Sequence, residues 1–278
     1  MPWTDRDRVG FAFRRLAEIM RCLQEVTNAG SRVAPFQSAG VCSVTVLFCG
    51  DPHGSFSQII RSVATKAPLA VVIVGDHDLE RPLEEELALV VEMGVPIWWI
   101  PGNHDGDRAH WYANLFDSGL GGFNLHGRVA EVAPGVRVAG FGGVFRGRIW
   151  HPSEGDGAPR FESRDEYLNS LPATHRWRGG LPLAQRVSIW WEDYQRLRTQ
   201  KADVLVCHEA PSSHRHGFGV LDDLARAMGA RLIVHGHHHI GYQAMLPGAV
   251  RVVGIGRAGL WRMGVQAPVV PLAPAPTA

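Results

Sequence analysis

The sequence predicts a layered α/β fold, and three observations carry that expectation. Short apolar runs rich in β-branched residues alternate with amphipathic stretches. Each run stops at a glycine or proline, and polar residues able to bind metal follow directly after. Runs that are apolar throughout suit parallel strands covered on both faces.

The elements follow in order. Residues 44–49 form the first expected strand, ended by Gly50, and 57–65 a helix. Residues 69–74, ended by Gly75, form a second strand, and 83–93 a helix with a Glu-rich face. Residues 95–100, ended by Pro101 and Gly102, form a third strand. A hairpin is expected from 128–132 and 136–141 around Pro134-Gly135, then a helix over 183–199, a strand over 204–207, a helix over 221–228 and a strand over 232–235. Residues 243–246 and 250–253, joined through Pro247-Gly248, form a last hairpin.

Ahead of this pattern, Val9, Phe13, Leu16, Met20 and Leu23 recur at helical spacing, so residues 1–40 read as an amphipathic helix and linker. The main domain is expected over 41–265, with 144–180 as a cap-like insert rich in Gly, Pro, Arg and Trp. The Pro- and Ala-rich 266–278 reads as a disordered tail.

The chain has 278 residues, 45% of them apolar, enough for one large domain with a substantial core and contrary to a disordered chain. A formal net charge of +1 gives no global basic field, so nucleic acid is not the favoured partner. Cys22, Cys42, Cys49 and Cys207 form no close pair, which argues against a zinc ribbon or a redox motif. The N-terminal residues mix acids and arginines, unlike a signal peptide, and no run suits a membrane span; a cytoplasmic protein is expected.

The chemistry lies at the strand ends. Asp51 and His53 follow the first strand, Asp76 the second, and Asn103 and His104 the third. His208 ends the 204–207 strand, and His237 and His239 follow the 232–235 strand. In an open α/β sheet such loops converge on one crevice. Carboxylates and imidazoles together suit Mn, Fe, Zn or Ni, and a two-oxygen carboxylate can touch two ions. Each piece alone has an ordinary structural explanation: a capping aspartate, a turn at Gly102-Asn103, a surface histidine run. Five pieces at five strand ends do not.

The series Asp51-x-His53, Gly75-Asp76, Gly102-Asn103-His104-Asp105, His208 and Gly236-His237-x-His239 resembles the calcineurin-like metallophosphoesterase superfamily, over about residues 43–253. The resemblance implies a four-layer α/β/β/α sandwich with two central mixed sheets. It also implies hydrolysis of a phosphoester, mono- or diester, by a metal-activated water at a binuclear centre. Asp51, His53, Asp76 and His239 are implied to hold the first metal, and Asp76, Asn103, His208 and His237 the second. His104 is implied to act catalytically without binding metal, with Asp105 expected to orient it. Two divalent ions are expected as cofactors, manganese first, with Fe, Zn or Ni as alternatives. A phosphorylated small molecule is the expected substrate, with no membrane partner; oligomeric state stays open.

Leu79 and Pro101 stand where the Ser/Thr protein phosphatases of the superfamily resemble one another in having an Asp and an Arg, which argues against that activity. A non-catalytic scaffold on the same fold is the other alternative, opposed by a complete ligand set; a single structural zinc is opposed by the absence of Cys ligands. In the insert, Arg146, Arg148, Arg160, Arg164, Arg176 and Arg178 are expected to be mostly solvated charges offset by nearby acids, with one or two reaching a phosphate. Trp98, Trp99, Trp190 and Trp191 form doublets, at least half expected in the core.

Overall fold

The structure is a computed structural model that describes residues 45–265. The expected N-terminal helix and the expected C-terminal tail lie outside the described residues.

The strands are β1 (Thr45–Cys49), β2 (Ala70–Ile73), β3 (Ile97–Trp99), β4 (Val129–Ala133), β5 (Val136–Phe141), β6 (Val204–Cys207), β7 (Leu232–His235), β8 (Tyr242–Leu246), β9 (Val250–Gly254) and β10 (Leu260–Gly264). The helices are α1 (Ser57–Lys66), α2 (Leu83–Glu86), α3 (Ala88–Glu92), α4 (Ala109–Phe116), α5 (Arg164–Ser170), α6 (Trp191–Arg198) and α7 (Gly219–Met228).

Two mixed sheets result. The smaller has the order β10-β1-β2-β3 and the larger β4-β5-β6-β7-β9-β8. Strands β1, β2 and β3 are parallel, as are β5, β6, β7 and β9; the edge strands β10, β4 and β8 run antiparallel to their neighbours.

Alternation along each strand builds four layers. Val46 and Phe48 of β1 meet Val204 and Val206 of β6 in a core between the sheets. Leu47 and Cys49 point the other way, onto Ile59 and Val63 of α1 and Leu83, Leu87 and Val90 of the next helices. Leu205 and Cys207 likewise face outward onto Leu197 of α6 and Leu221 and Leu224 of α7. The result is an α/β/β/α sandwich. The next residue after Cys207, His208, returns to the inner face, at the mouth between the sheets.

The structure corrects three expectations. The helix expected over 83–93 breaks at Leu87 (φ −111°), yet Leu83, Leu87 and Val90 keep one buried stripe across the break. The helix expected over 183–199 is a 3₁₀ turn (Leu183–Val187), an extended link and then α6. The link is extended because Val144 bridges it: the Val144 N–H donates to the Val187 carbonyl at 3.3 Å and the Ile189 N–H donates to the Val144 carbonyl at 2.9 Å. Strand β10 was not expected; it is an edge strand, with Trp261 packed on Phe48 at 5.7 Å between ring centroids.

Trp99 and Trp190 are fully buried, whereas Trp98 and Trp191 are half-buried. Among the described residues, no helix is long and apolar enough to cross a membrane. In the 144–180 stretch, Phe145, Ile149, Trp150 and Tyr167 are buried with α6 and α7 in the outer core.

Candidate metal centre

The parallel strands of both sheets end on one side, and their following loops bring the expected ligands together. Asp76 Oδ2 lies 3.9 Å from His53 Nε2 and 3.3 Å from His208 Nε2. His53 Nε2 and His239 Nε2 are 2.9 Å apart, and Asn103 Oδ1 lies 3.1 Å from His208 Nε2. Asp51 Oδ2 is 3.8 Å from His239 Nε2, and the rings of His208 and His237 have centroids 4.8 Å apart.

Three overlapping donor groups emerge among the described residues: His53, Asp76 and His239; Asp76, His208 and His237; and Glu209, His237 and His238. Asp76 belongs to the first two. The donors carry marks of cation binding. Asp51 Oδ1 is buried without a hydrogen-bond partner. Two imidazole nitrogens aimed at each other, as in His53 and His239, fit a shared cation or proton.

The backbone makes these approaches possible at some cost. Asp51, His53, Asp76, His237 and His239 all have positive φ, from 29° at Asp51 to 68° at His237. Asp and His tolerate this region better than branched residues, but each such position still costs on the order of 1–3 kcal/mol, and such strain clusters at ligand clamps. Glycines make room for the carboxylates: a Cβ at Gly102 would meet the Asp76 carboxylate, and one at Gly236 the Asp51 carboxylate.

Neighbours orient the ligands. His208 Nδ1 donates to the Val74 carbonyl at 2.9 Å, which leaves Nε2 facing Asp76 and Asn103. His53 Nδ1 meets Asp78 Oδ2 at 2.7 Å, which turns its Nε2 toward His239 and Asp76. The His237 N–H donates to Asp51 Oδ2 at 2.7 Å, and the His104 N–H donates to Asp76 Oδ1 at 2.9 Å.

The electrostatics follow from burial and this crowding. Burial pushes Asp51 up to about 7 against the opposing pull of His208. Burial also works against charge at Asp76, but the His208 imidazolium outweighs it and holds Asp76 well below the usual carboxylate range. Burial opposes charge on His208 as well, and Asp76 and Asp51 overcome it, pushing His208 up to about 10. His237 is pushed down to about 3 by burial and by the charge of His208.

Asp105 is a correction. It does not reach His104. It is buried, and it accepts the Gly102 N–H at 2.8 Å and the His77 N–H at 2.8 Å, with His77 Nδ1 at 3.0 Å. The carboxylate on His104 is Asp107, with Oδ2 2.7 Å from Nδ1. The 3₁₀ turn His104–Gly106 explains the exchange, because residues three apart share a face in such a turn. That spacing was the available signal. Asp78, twenty-five residues from His53 in sequence, offered none.

Glu209 follows His208 and lies 3.8 Å from His237; burial pushes it up to about 7. Four of the six insert arginines are occupied elsewhere, Arg160 among them, 3.8 Å from Glu154. Arg164 pairs with Glu192 at 2.6 Å and Asp193 at 2.5 Å, Arg176 donates to the Leu168 carbonyl at 3.0 Å, and Arg178 lies 3.6 Å from Asp117.

A family model described as calcineurin-like phosphoesterase matches residues 44–241, which holds every residue of the centre. The chain belongs to the calcineurin-like phosphoesterase family. An uncharacterized protein of Haemophilus influenzae is 41% identical to this calcineurin-like chain over 211 residues, covering 75% of this chain and 90% of the relative. Among solved structures, a Thermus thermophilus protein is 15% identical, with 81% of this chain and 100% of that chain covered and a TM-score of 0.49. A dimetal phosphatase from Danio rerio is 13% identical, with 78% and 88% covered and a TM-score of 0.49.

Proposed function

We propose that the chain is a phosphoester hydrolase that works with two divalent metal ions on a small phosphorylated substrate. The observation that carries this reading is the sharing of Asp76 between two donor groups. One carboxylate with donors on both sides suits a pair of ions.

Asp51, His53, Asp76 and His239 would hold one ion, and Asp76, Asn103, His208 and His237 the other. The chemistry supplied at such a centre is activation of water near neutral pH and neutralisation of phosphoryl charge. Mixed imidazole and carboxylate donors suit manganese, iron, zinc or nickel.

The protein's own contribution is positional. His208 and His53 are fixed by hydrogen bonds at Nδ1, so their Nε2 atoms have one orientation. His104 is held at Nδ1 by Asp107, and its ring lies 5.4 Å from that of His53, at the edge of the donor cluster. Its Nε2 is left to donate a proton to a leaving-group oxygen or to stabilise charge there.

The test is hydrolysis of paired chromogenic phosphomonoester and phosphodiester substrates by metal-stripped protein, with Mn, Ni, Zn, Fe and Mg restored singly. Restored turnover supports the hydrolase, and the preferred ester assigns its branch. Metal binding without turnover on either ester or on a panel of natural phosphate compounds would favour a scaffold.

A further inference from the structure

Strand β5 ends beside β6 in the larger sheet, parallel to it, so its following loop opens on the same side as His208. That loop carries none of the expected metal ligands. It runs through Gly142 and Gly143 against the Pro101-Gly102 turn, where the Gly143 N–H donates to the Pro101 carbonyl at 2.6 Å. A Cβ at Gly142 would collide with Pro101, so the contact requires glycine. Two residues on, the Phe145 N–H donates to Glu209 Oε1 at 3.2 Å. The loop is therefore pinned between the turn that carries Asn103 and His104 and the turn that carries His208 and Glu209.

Arg146 comes next. Its backbone is paired with Trp150, and its Nε donates to Ser188 Oγ at 3.1 Å. The guanidinium is half-buried and anchored at one corner. Its Nη1 and Nη2 groups have no hydrogen-bond or ion-pair partner among the described residues. The charges that act on it are Asp107, Arg148 and Glu209. Asp107 holds His104, and Glu209 lies 3.8 Å from His237 and accepts the neighbouring Phe145 N–H, so Arg146 directly follows a residue tied to the rim of the centre. Neither carboxylate closes an ion pair with it.

A half-desolvated guanidinium held at Nε presents two parallel N–H groups, the geometry that grips a phosphate or carboxylate oxygen pair. We propose that Arg146 binds the phosphoryl oxygens of the substrate, as the anion-positioning residue of the centre. This inference rests on the hydrolase reading above. Of the other insert arginines, Arg160, Arg164, Arg176 and Arg178 are engaged with partners of their own, and Arg148 is exposed.

The probe is inorganic phosphate, titrated calorimetrically into metal-loaded full-length protein, with metal content measured on the same samples. The variants are Arg146→Ala, Arg146→Lys and, as a control, the exposed neighbour Arg148→Ala. Arg146→Ala is expected to weaken phosphate binding about 10-fold or more, the scale of a lost charge-assisted hydrogen bond. Arg146→Lys should recover part of it, Arg148→Ala should match wild type, and metal content should stay unchanged throughout. With a chromogenic ester, Arg146→Ala should raise KM more than it lowers kcat. Phosphate binding by Arg146→Ala as tight as wild type would overturn the proposal and leave the hydrolase reading intact. Loss of metal from Arg146→Ala would overturn it too, by making the residue a support of the centre. Metal-loaded wild type that binds no phosphate would overturn the proposal, while turnover of the ester on the same samples decides the hydrolase reading separately.

Discussion

Asp107 Oδ2 lies 2.7 Å from His104 Nδ1, on the exposed side of a 3₁₀ turn whose buried carboxylate, Asp105, faces the opposite way. Two carboxylates two positions apart thus have separate tasks. Asp107 orients the imidazole at the mouth of the site. Asp105 ties the Gly102 turn to His77 beneath it.

Substitution should separate these tasks. Asp107→Asn is expected to lower kcat about 10-fold, as for loss of a carboxylate that orients an active histidine, with unchanged unfolding midpoint. Asp105→Ala is expected to cost about 2–4 kcal/mol, because two buried N–H groups and the His77 ring lose their acceptor. Kinetics and urea unfolding on both variants check this; equal effects on both measures would remove the distinction.

Gly236→Ala places a methyl group against the Asp51 carboxylate. Metal affinity should fall at least about 10-fold, as expected when a ligand is pushed from its set position. Competition with a chromogenic chelator measures it. Gly219→Ala, where a Cβ meets nothing within 4 Å, is the control and should leave metal affinity unchanged.

The outer layer is locked by Asp193, buried on α6 between Arg164, Arg196 and His126. Burial opposes its charge, but His126 and Arg164 outweigh burial and hold its pKa well below the usual carboxylate range. A depressed carboxyl pKa stabilises the fold above the unfolded-state value of about 3.9, and that contribution fades as pH falls below it. The melting temperature of wild type should therefore drop more steeply than that of Asp193→Asn below about pH 4. Near neutral pH the Asn variant should be less stable by about 3 kcal/mol, because it leaves Arg164 short of its buried partner. Parallel pH-melting curves would contradict this.

Much of the arrangement was legible in the sequence for a local reason. Strands buried on both faces read as unbroken apolar runs, so β1, β2, β6 and β7, and the loops that carry the expected ligands after them, could be placed by position alone. What escaped depends on contacts distant in sequence or on turn geometry. The extended link Ser188–Trp190 exists because Val144 supplies its hydrogen bonds; locally its sequence suits a helix. Asp78 orients His53 across a loop, and only the 3₁₀ turn decides between Asp105 and Asp107. Strand β10 lies at an edge and is interrupted by Arg262, so it lacks the apolar run of the central strands.

The central claim is that one carboxylate, Asp76, serves two metal ions. Its most direct test is the metal content of wild type and Asp76→Asn, measured by inductively coupled plasma mass spectrometry after manganese loading and desalting, with turnover on the same samples. The expected result is two ions per chain in wild type, at most one in the variant, and loss of turnover in a variant that still melts cooperatively. A variant that keeps both ions and its turnover would contradict the shared site.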